Sequence, residues 1–230
     1  MRLRLLTAVM WLASCGGAAR AQECWYAVYL GGEHIGYSYV YDGVRDYDGA
    51  SCRYLKHVTE IHKGGLVPVD FRHEYSAYFD GGGLVACNVE RDDAGVRSTV
   101  VGSRDGAGDL TFTVKKKGRA ETRVFKRAEY EMTSLDDLTP ELAAPGDSTT
   151  VRIVDLEVLK VKKTKLQYVA DASLNVNGGQ YDAMVVNADT AWEKIKYWLA
   201  GDRHTAYRVV KNTLAGKITV ELTTESGAKP

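Results

Sequence analysis

Proline is scarce in this chain, with four among 230 residues. That argues against a proline-rich linker or an extended stalk. An excess of charge of one sign is also missing, since 30 Lys and Arg balance 30 Asp and Glu. A near-neutral chain has no general electrostatic reason to hold nucleic acid. No apolar run reaches the ~20 residues that span a bilayer. The most apolar stretch, Leu5 to Ala13, is too short. Cysteine is sparse, at four. No Gly-x-Ser-x-Gly elbow occurs, and no phosphate-cradling glycine loop precedes a helix. The sequence thus offers no catalytic residue, no metal site and no cofactor motif.

What is present begins with an export signature. Met1-Arg2-Leu3-Arg4 is a short basic start, Leu5 to Ala13 is the apolar segment, and Ala19-Arg20-Ala21 is a small-x-small cleavage site. This reads residues 1–21 as a signal peptide and places the protein in a bacterial periplasm. A second reading stays open. Leu12-Ala13-Ser14-Cys15-Gly16 has the form of a lipobox, in which Cys15 is lipidated and anchors an outer-membrane lipoprotein. Residues 1–21 hold three Arg and no acid, so the remainder carries 27 basic against 30 acidic residues.

From residue 22 onward the dominant signal is alternation of apolar and polar residues, interrupted by turn residues every 8–14 positions. The fourth such segment is the clearest. Val67, Val69, Phe71, His73, Tyr75, Ala77 and Phe79 lie on one face, and Asp70, Arg72, Glu74 and Ser76 on the other. Glycine pairs separate the segments, and Asn177-Gly178 is a type I′ hairpin signal. Residues 133–144 are the best helical candidate, with Ser134 as cap and Asp136 and Asp137 in the first turn. The expected fold is mainly β: a single strongly curved antiparallel sheet, a half-barrel or open barrel, with one or two short helices. It spans residues 22–226 as one domain, with a loose tail at 227–230.

Such a sheet has one concave apolar face that needs a ligand, a partner or its own side chains. Val69, Phe71, Tyr75, Phe112, Val114 and Tyr197 are the candidate lining residues for a lipid, an acyl chain or an apolar peptide. The alternative is a structural or interaction module whose core fills itself. A minor alternative is a hydrolase that gathers His57 or His62 with Glu60 or Glu74. His57-Val58-Thr59-Glu60-Ile61-His62 is not a zinc motif, because its histidines are five apart on a strand and face opposite ways. His73 reads as a core histidine. Glu60, His62, Asp70, Arg72 and Glu74 read as cross-strand ion pairs on a solvated face.

Cys24, Cys52 and Cys87 are the disulfide candidates. A Cys52–Cys87 bridge, a Cys24–Cys52 bridge and three small buried hydrophobes all remain open. The basic runs Lys115-Lys116-Lys117 with Arg119, and Lys160 to Lys165, read as edge protection or as contacts with anionic lipid or envelope polymer.

Two stretches carry a resemblance. Residues 25–37 have the form Trp-Tyr-x-Val-Tyr-x-x-Gly-x-x-Ile-Gly-Tyr, and Tyr197-Trp198-Leu199 precedes Tyr207-Arg208-Val209-Val210. The pair resembles a group of uncharacterised exported bacterial proteins whose fold is similar to the half-barrel of the LolA and LolB lipoprotein carriers. The Trp-Tyr hairpin also resembles one beside some exported transglutaminase-like domains, whose Cys-His-Asp pattern is absent here. The resemblance implies a fold and a compartment. Its motifs are hairpin residues, so it carries no site residue across.

Overall fold

The computed structural model describes residues 21–64, 69–136, 142–200, 205–213 and 216–224, without the side chain of Val69. The signal segment, Cys15, Val67 and the 227–230 tail fall outside them. The alternating segments all form strands. These are β1 (Gln22–Leu30), β2 (Glu33–Tyr47), β3 (Ala50–Lys63), β4 (Val69–Asp80), β5 (Gly83–Asp93), β6 (Val96–Arg104), β7 (Leu110–Lys116) and β8 (Arg119–Phe125). After a crossing segment come β9 (Met132–Thr133), β10 (Ser148–Asp155), β11 (Lys160–Val176), β12 (Gly179–Asp189), β13 (Lys194–Leu199), β14 (Ala206–Thr213) and β15 (Gly216–Thr224).

The turns explain how so many strands stay in register. Asp48-Gly49, Ala94-Gly95, Lys117-Gly118 and Asn177-Gly178 all carry left-handed φ at both positions. That is the type I′ geometry whose twist matches the flanking strands. Side chains at even spacing therefore keep the same face from one strand to the next.

All fifteen strands form one sheet in the order β8-β7-β6-β5-β4-β3-β2-β1-β15-β14-β13-β12-β11-β10-β9. The chain starts at the middle, meanders out to β8, crosses to the far edge at β9 and meanders back. It closes on β1 through the pairs Tyr26↔Leu222, Val28↔Val220 and Leu30↔Ile218. The edges, β8 and β9, are not paired with each other. The sheet curls until they approach across a seam, where Arg123 of β8 donates to the Leu159 carbonyl at 3.0 Å. We call the end with the Gly31-Gly32, Ala94-Gly95, Lys117-Gly118 and 156–159 turns the upper end. The crossing segment 126–147 lies at the lower end.

The inner face of the curl is the core. Tyr26, Leu55, Ile61, Leu110, Phe112, Ile153, Leu166 and Tyr197 are fully buried in one continuous cluster. The outer face of β3 and β4 carries the expected ion pairs. Lys56 and Arg72 meet Glu74 at 2.7 and 2.8 Å, Arg72 also meets Glu60, and His62 meets Asp70 at 2.8 Å. These exposed pairs each contribute about 1 kcal/mol or less.

Three expectations need correction. The helix expected at 133–144 begins as strand: Met132 and Thr133 pair in parallel with Ile153 and Val154 of β10. Asp136 closes a turn there, its carboxylate accepting from the Thr133 N–H at 2.6 Å and from the Thr133 hydroxyl at 2.7 Å. Residues 137–141 are outside the described residues, and the helical turn that is described is the 3-10 turn Arg127–Glu129. Alternation predicts a strand over Val158–Val169, but the strand starts at Lys160, because 156–159 form a tight turn with Leu159 at φ 49°. Neither proposed bridge forms, since Cys52 and Cys87 are free and buried. Cys87 faces Ala77, which faces Leu55, three residues along β3 from Cys52. Two strand spacings alone are ~10 Å, beyond disulfide reach. Cys24 faces Val40, which faces His57, five residues from Cys52. Cys24 is itself disulfide-bonded, to neither of these two.

Gly36 shows how closely β2 and β3 approach. A Cβ there would overlap the Glu60 carbonyl oxygen and lie 2.8 Å from the Ile61 Cα. Both are backbone atoms of a paired strand, so neither can turn away. Gly36→Ala is expected to destabilise by about 3 kcal/mol, read as a lowered urea midpoint with unchanged slope.

Candidate functional site

Four polar side chains meet inside the barrel at mid-height. Ser38 on β2 lies opposite Thr59 on β3, and His57 on β3 lies opposite Tyr75 on β4. All four are buried. His57 Nδ1 is 2.8 Å from the Tyr75 hydroxyl, and His57 Nε2 contacts the Ser38 hydroxyl and lies 3.1 Å from Thr59 Oγ1. Ser38 and Thr59 are 3.0 Å apart. Burial pushes the His57 pKa down to about 3, so the imidazole is neutral. Burial drives the Tyr75 phenol well above its usual value, so it keeps its proton.

A serine beside a histidine invites comparison with a nucleophile and its base. Activation would require a group that stabilises the imidazolium and a path for substrate. Here the partner at Nδ1 is a protonated phenol, and Ser38 is 0% exposed. The arrangement satisfies buried hydrogen-bonding groups, which is what buried polar atoms require. Of the residues named for a hydrolase, His57 points inward, away from Glu60 and Glu74, which lie on the outer face in ion pairs; His62 shares that outer face and meets Asp70 there.

A second polar group closes the upper end. Arg91 extends the inward phase of β5 beyond Val89. Its Nε donates to His73 Nε2 at 3.3 Å, and Nη1 and Nη2 donate to the carbonyls of Glu157 and Leu156 at 2.9 and 2.7 Å. One guanidinium thus holds the β10–β11 turn against β5. His73 is buried, as expected, and its pKa lies well below the ordinary value, through burial first and the Arg91 charge second. Burial raises the Glu157 carboxyl, Asp155 adds to this, and Arg91 opposes it. Beside them runs an ionic chain. Lys162 meets Asp155 at 2.6 Å and Glu193 at 3.3 Å, and Lys211 meets Glu193 at 3.0 Å.

The candidate lining residues occupy the core. Phe71, Tyr75, Phe112 and Tyr197 are between 0% and 5% exposed and pack in the one cluster, with Val114 half-buried against it. Their low exposure leaves them no accessible groove among the described residues, and the cluster that buries them includes residues of both halves of the sheet. The side chain of Val69 is not among those described. The sequence singles out neither Arg91, Glu193 nor Lys211, and Lys162 only as part of the Lys160 to Lys165 basic run. The signal available for Arg91 and Lys211 was a cation at an apolar phase of the alternation.

An open cleft of about 540 Å³ lies at the lower end of the seam, between the Gly81–Gly83 turn, Tyr130, Met132 and Val151. Tyr130 is fixed there, its hydroxyl donating to the Gly108 carbonyl at 2.5 Å and its ring lying 5.1 Å from the Arg127 guanidinium. Among the described residues, no three His, Cys, Asp or Glu side chains gather as metal ligands would.

No protein-family model matches the chain, and no curated protein sequence matches it. A solved structure does superpose over most of its length. It is a β-barrel-like protein of the domain of unknown function DUF1849 from Brucella abortus, with a TM-score of 0.55 and 8% identity over 88% of this chain and 95% of that one. A DUF1089 family protein from Pseudomonas aeruginosa overlaps with a TM-score of 0.34 and 10% identity over 73% of this chain and 87% of that one. The second overlap is too weak to bear on the fold. The first, at so low an identity, is a likeness of fold alone: this chain is similar to a β-barrel-like protein in architecture.

Proposed function

We propose that this is an exported, non-enzymatic barrel-like module that fills its interior with its own side chains and acts through its surface. The filled interior carries the reading. The aromatic residues that would line a carrier's groove are buried in one hydrophobic cluster that draws on both halves of the sheet. His57, Tyr75, His73 and Arg91 are engaged by one another or by turn carbonyls, while Thr164 Oγ1 and Glu157 Oε2 are buried without a hydrogen-bond partner among the described residues. A LolA- or LolB-like carrier role would require that face to be vacant. Export to the periplasm, or anchoring through Cys15, rests on the composition of residues 1–21.

Native mass spectrometry after gentle purification tests the reading. The expected spectrum holds protein alone, with no saturable uptake of a fluorescent fatty acid. A lipid co-purifying in a fixed ratio, or saturable uptake, would return the carrier reading to first place.

A further inference from the structure

The seam joins two parts of the sequence that are far apart along the chain. The β7–β8 turn carries Lys116, Lys117 and Arg119, all exposed. The first residues of β11 include exposed Lys160 and Lys163. Arg123 of β8 bonds the Leu159 carbonyl, so these two basic runs are neighbours at the upper end of the barrel. The β12–β13 turn continues the sector. There Lys194 is exposed, and Asp189 faces both Lys165 and Lys194 in the ladders.

None of these six cations is ion-paired among the described residues. Elsewhere Arg53, Lys56, Lys63, Arg72, Arg97 and Arg104 all have carboxylate partners. Asp70, Asp92 and Asp93 of the same rim lie on the β4–β5 side. Within the sector Glu121 pairs with Arg123, Asp155 and Glu193 pair with Lys162 and Lys211, and Asp189 stands between Lys165 and Lys194, so the six cations leave a local excess of positive charge.

Trp192 projects from the β12–β13 turn, at the end of this sector away from the seam, and is 92% exposed. Its turn is tied down. The Thr190 hydroxyl oxygen accepts from the Trp192 and Glu193 N–H groups at 3.3 and 3.0 Å, and the Thr190 N–H donates to the Glu193 carbonyl at 2.8 Å. A fixed turn thus holds an indole in water. Indoles favour the boundary between water and hydrocarbon, where the ring is apolar on one side and its N–H is wet. Unpaired lysines around it would meet anionic headgroups.

We infer that the upper rim docks on an anionic phospholipid surface, with Trp192 at the interface and the unpaired cations of the β7–β8 turn and β11 on the headgroups. This goes beyond the filled-interior reading and does not depend on it. Trp192 favours a bilayer over a soluble anionic polymer, which offers phosphate or carboxylate but no hydrocarbon boundary.

The test is co-sedimentation of the full chain with vesicles of equal phosphatidylglycerol and phosphatidylcholine, against vesicles of phosphatidylcholine alone. Every variant keeps residues 1–21, so any contribution of that segment is common to all. Binding to the anionic vesicles is expected, and it should weaken as salt shortens the range of the charges. The variant K116E/K117E/K160E/K163E should bind at least about a hundredfold more weakly, with its circular dichroism unchanged. Trp192→Ser should weaken binding several-fold and remove the blue shift of tryptophan emission on adding vesicles. Equal binding to both vesicle types, unchanged binding by the charge-reversed variant, or retention on heparin without vesicle binding would each overturn the proposal. Lipid held inside the barrel is read separately, by native mass without vesicles.

Discussion

Replacing Arg91 with methionine should cost about 2–4 kcal/mol of folding stability, the largest single-residue loss expected from a side chain on the inner face. Methionine keeps the apolar stem but removes every donor. The carbonyls of Leu156 and Glu157 and the His73 Nε2 would each lose a partner. The Glu157 carboxyl, whose pKa is raised by burial, would also lose the charge that most opposes that rise. A comparison at Arg123 isolates the mechanism. Arg123 bonds a single carbonyl of the same turn and is over a third exposed, so Arg123→Met should cost about 1 kcal/mol or less. Urea unfolding measures both. Limited proteolysis adds a local readout, since Arg91→Met should open the 156–159 turn before the rest of the sheet. Equal losses at the two positions would mean that Arg91 is not the clasp.

Acid should destabilise the protein well before its carboxylates titrate. His57 and His73 are neutral in the folded state because burial depresses both pKa values, that of His57 to about 3. An unfolded histidine takes up a proton near pH 6.5. Below that pH the unfolded state binds protons that the folded state refuses, so stability is full above pH ~6.5 and falls as pH drops. The slope is about 1.4 kcal/mol per pH unit for each histidine, or about 2.8 for the two. Glu157 works against this trend, since its raised pKa means that acid relieves the cost of its buried charge. Urea midpoints between pH 6.5 and 4.5 read the slope. His57→Gln should roughly halve it, because one of the two refusing groups is gone. A flat stability profile across that window would show that protons reach the imidazoles in the folded protein.

The two predictions concern residues that the sequence treated very differently. His73 was legible as a core residue, because it sits in the apolar phase of a strand whose alternation runs from Val67 to Phe79. Arg91 was not, although it occupies the same kind of position. Alternation predicts its strand over Leu84–Glu90 only, and an arginine at an apolar phase has meaning only once the carbonyls it reaches are known. Those carbonyls lie 65 and 66 residues later in the chain. The lining residues show a different limit. Phe71, Tyr75, Phe112 and Tyr197 were correctly assigned to the inner face, but alternation cannot say what stands opposite that face.

The sequence by itself determined the antiparallel strands and most of their turns, but not the parallel strand β9 or the turn at 156–159. Alternation and positive-φ turn residues are properties of a few neighbouring residues, and they fix which way each side chain points. Tertiary structure alone decided how far the sheet curls, that β1 joins β15, that the seam is clasped by Arg91 and Arg123, and that two distant basic runs share one rim. Those outcomes depend on contacts between residues far apart in the chain, whose free energy exists only when the whole curl has formed.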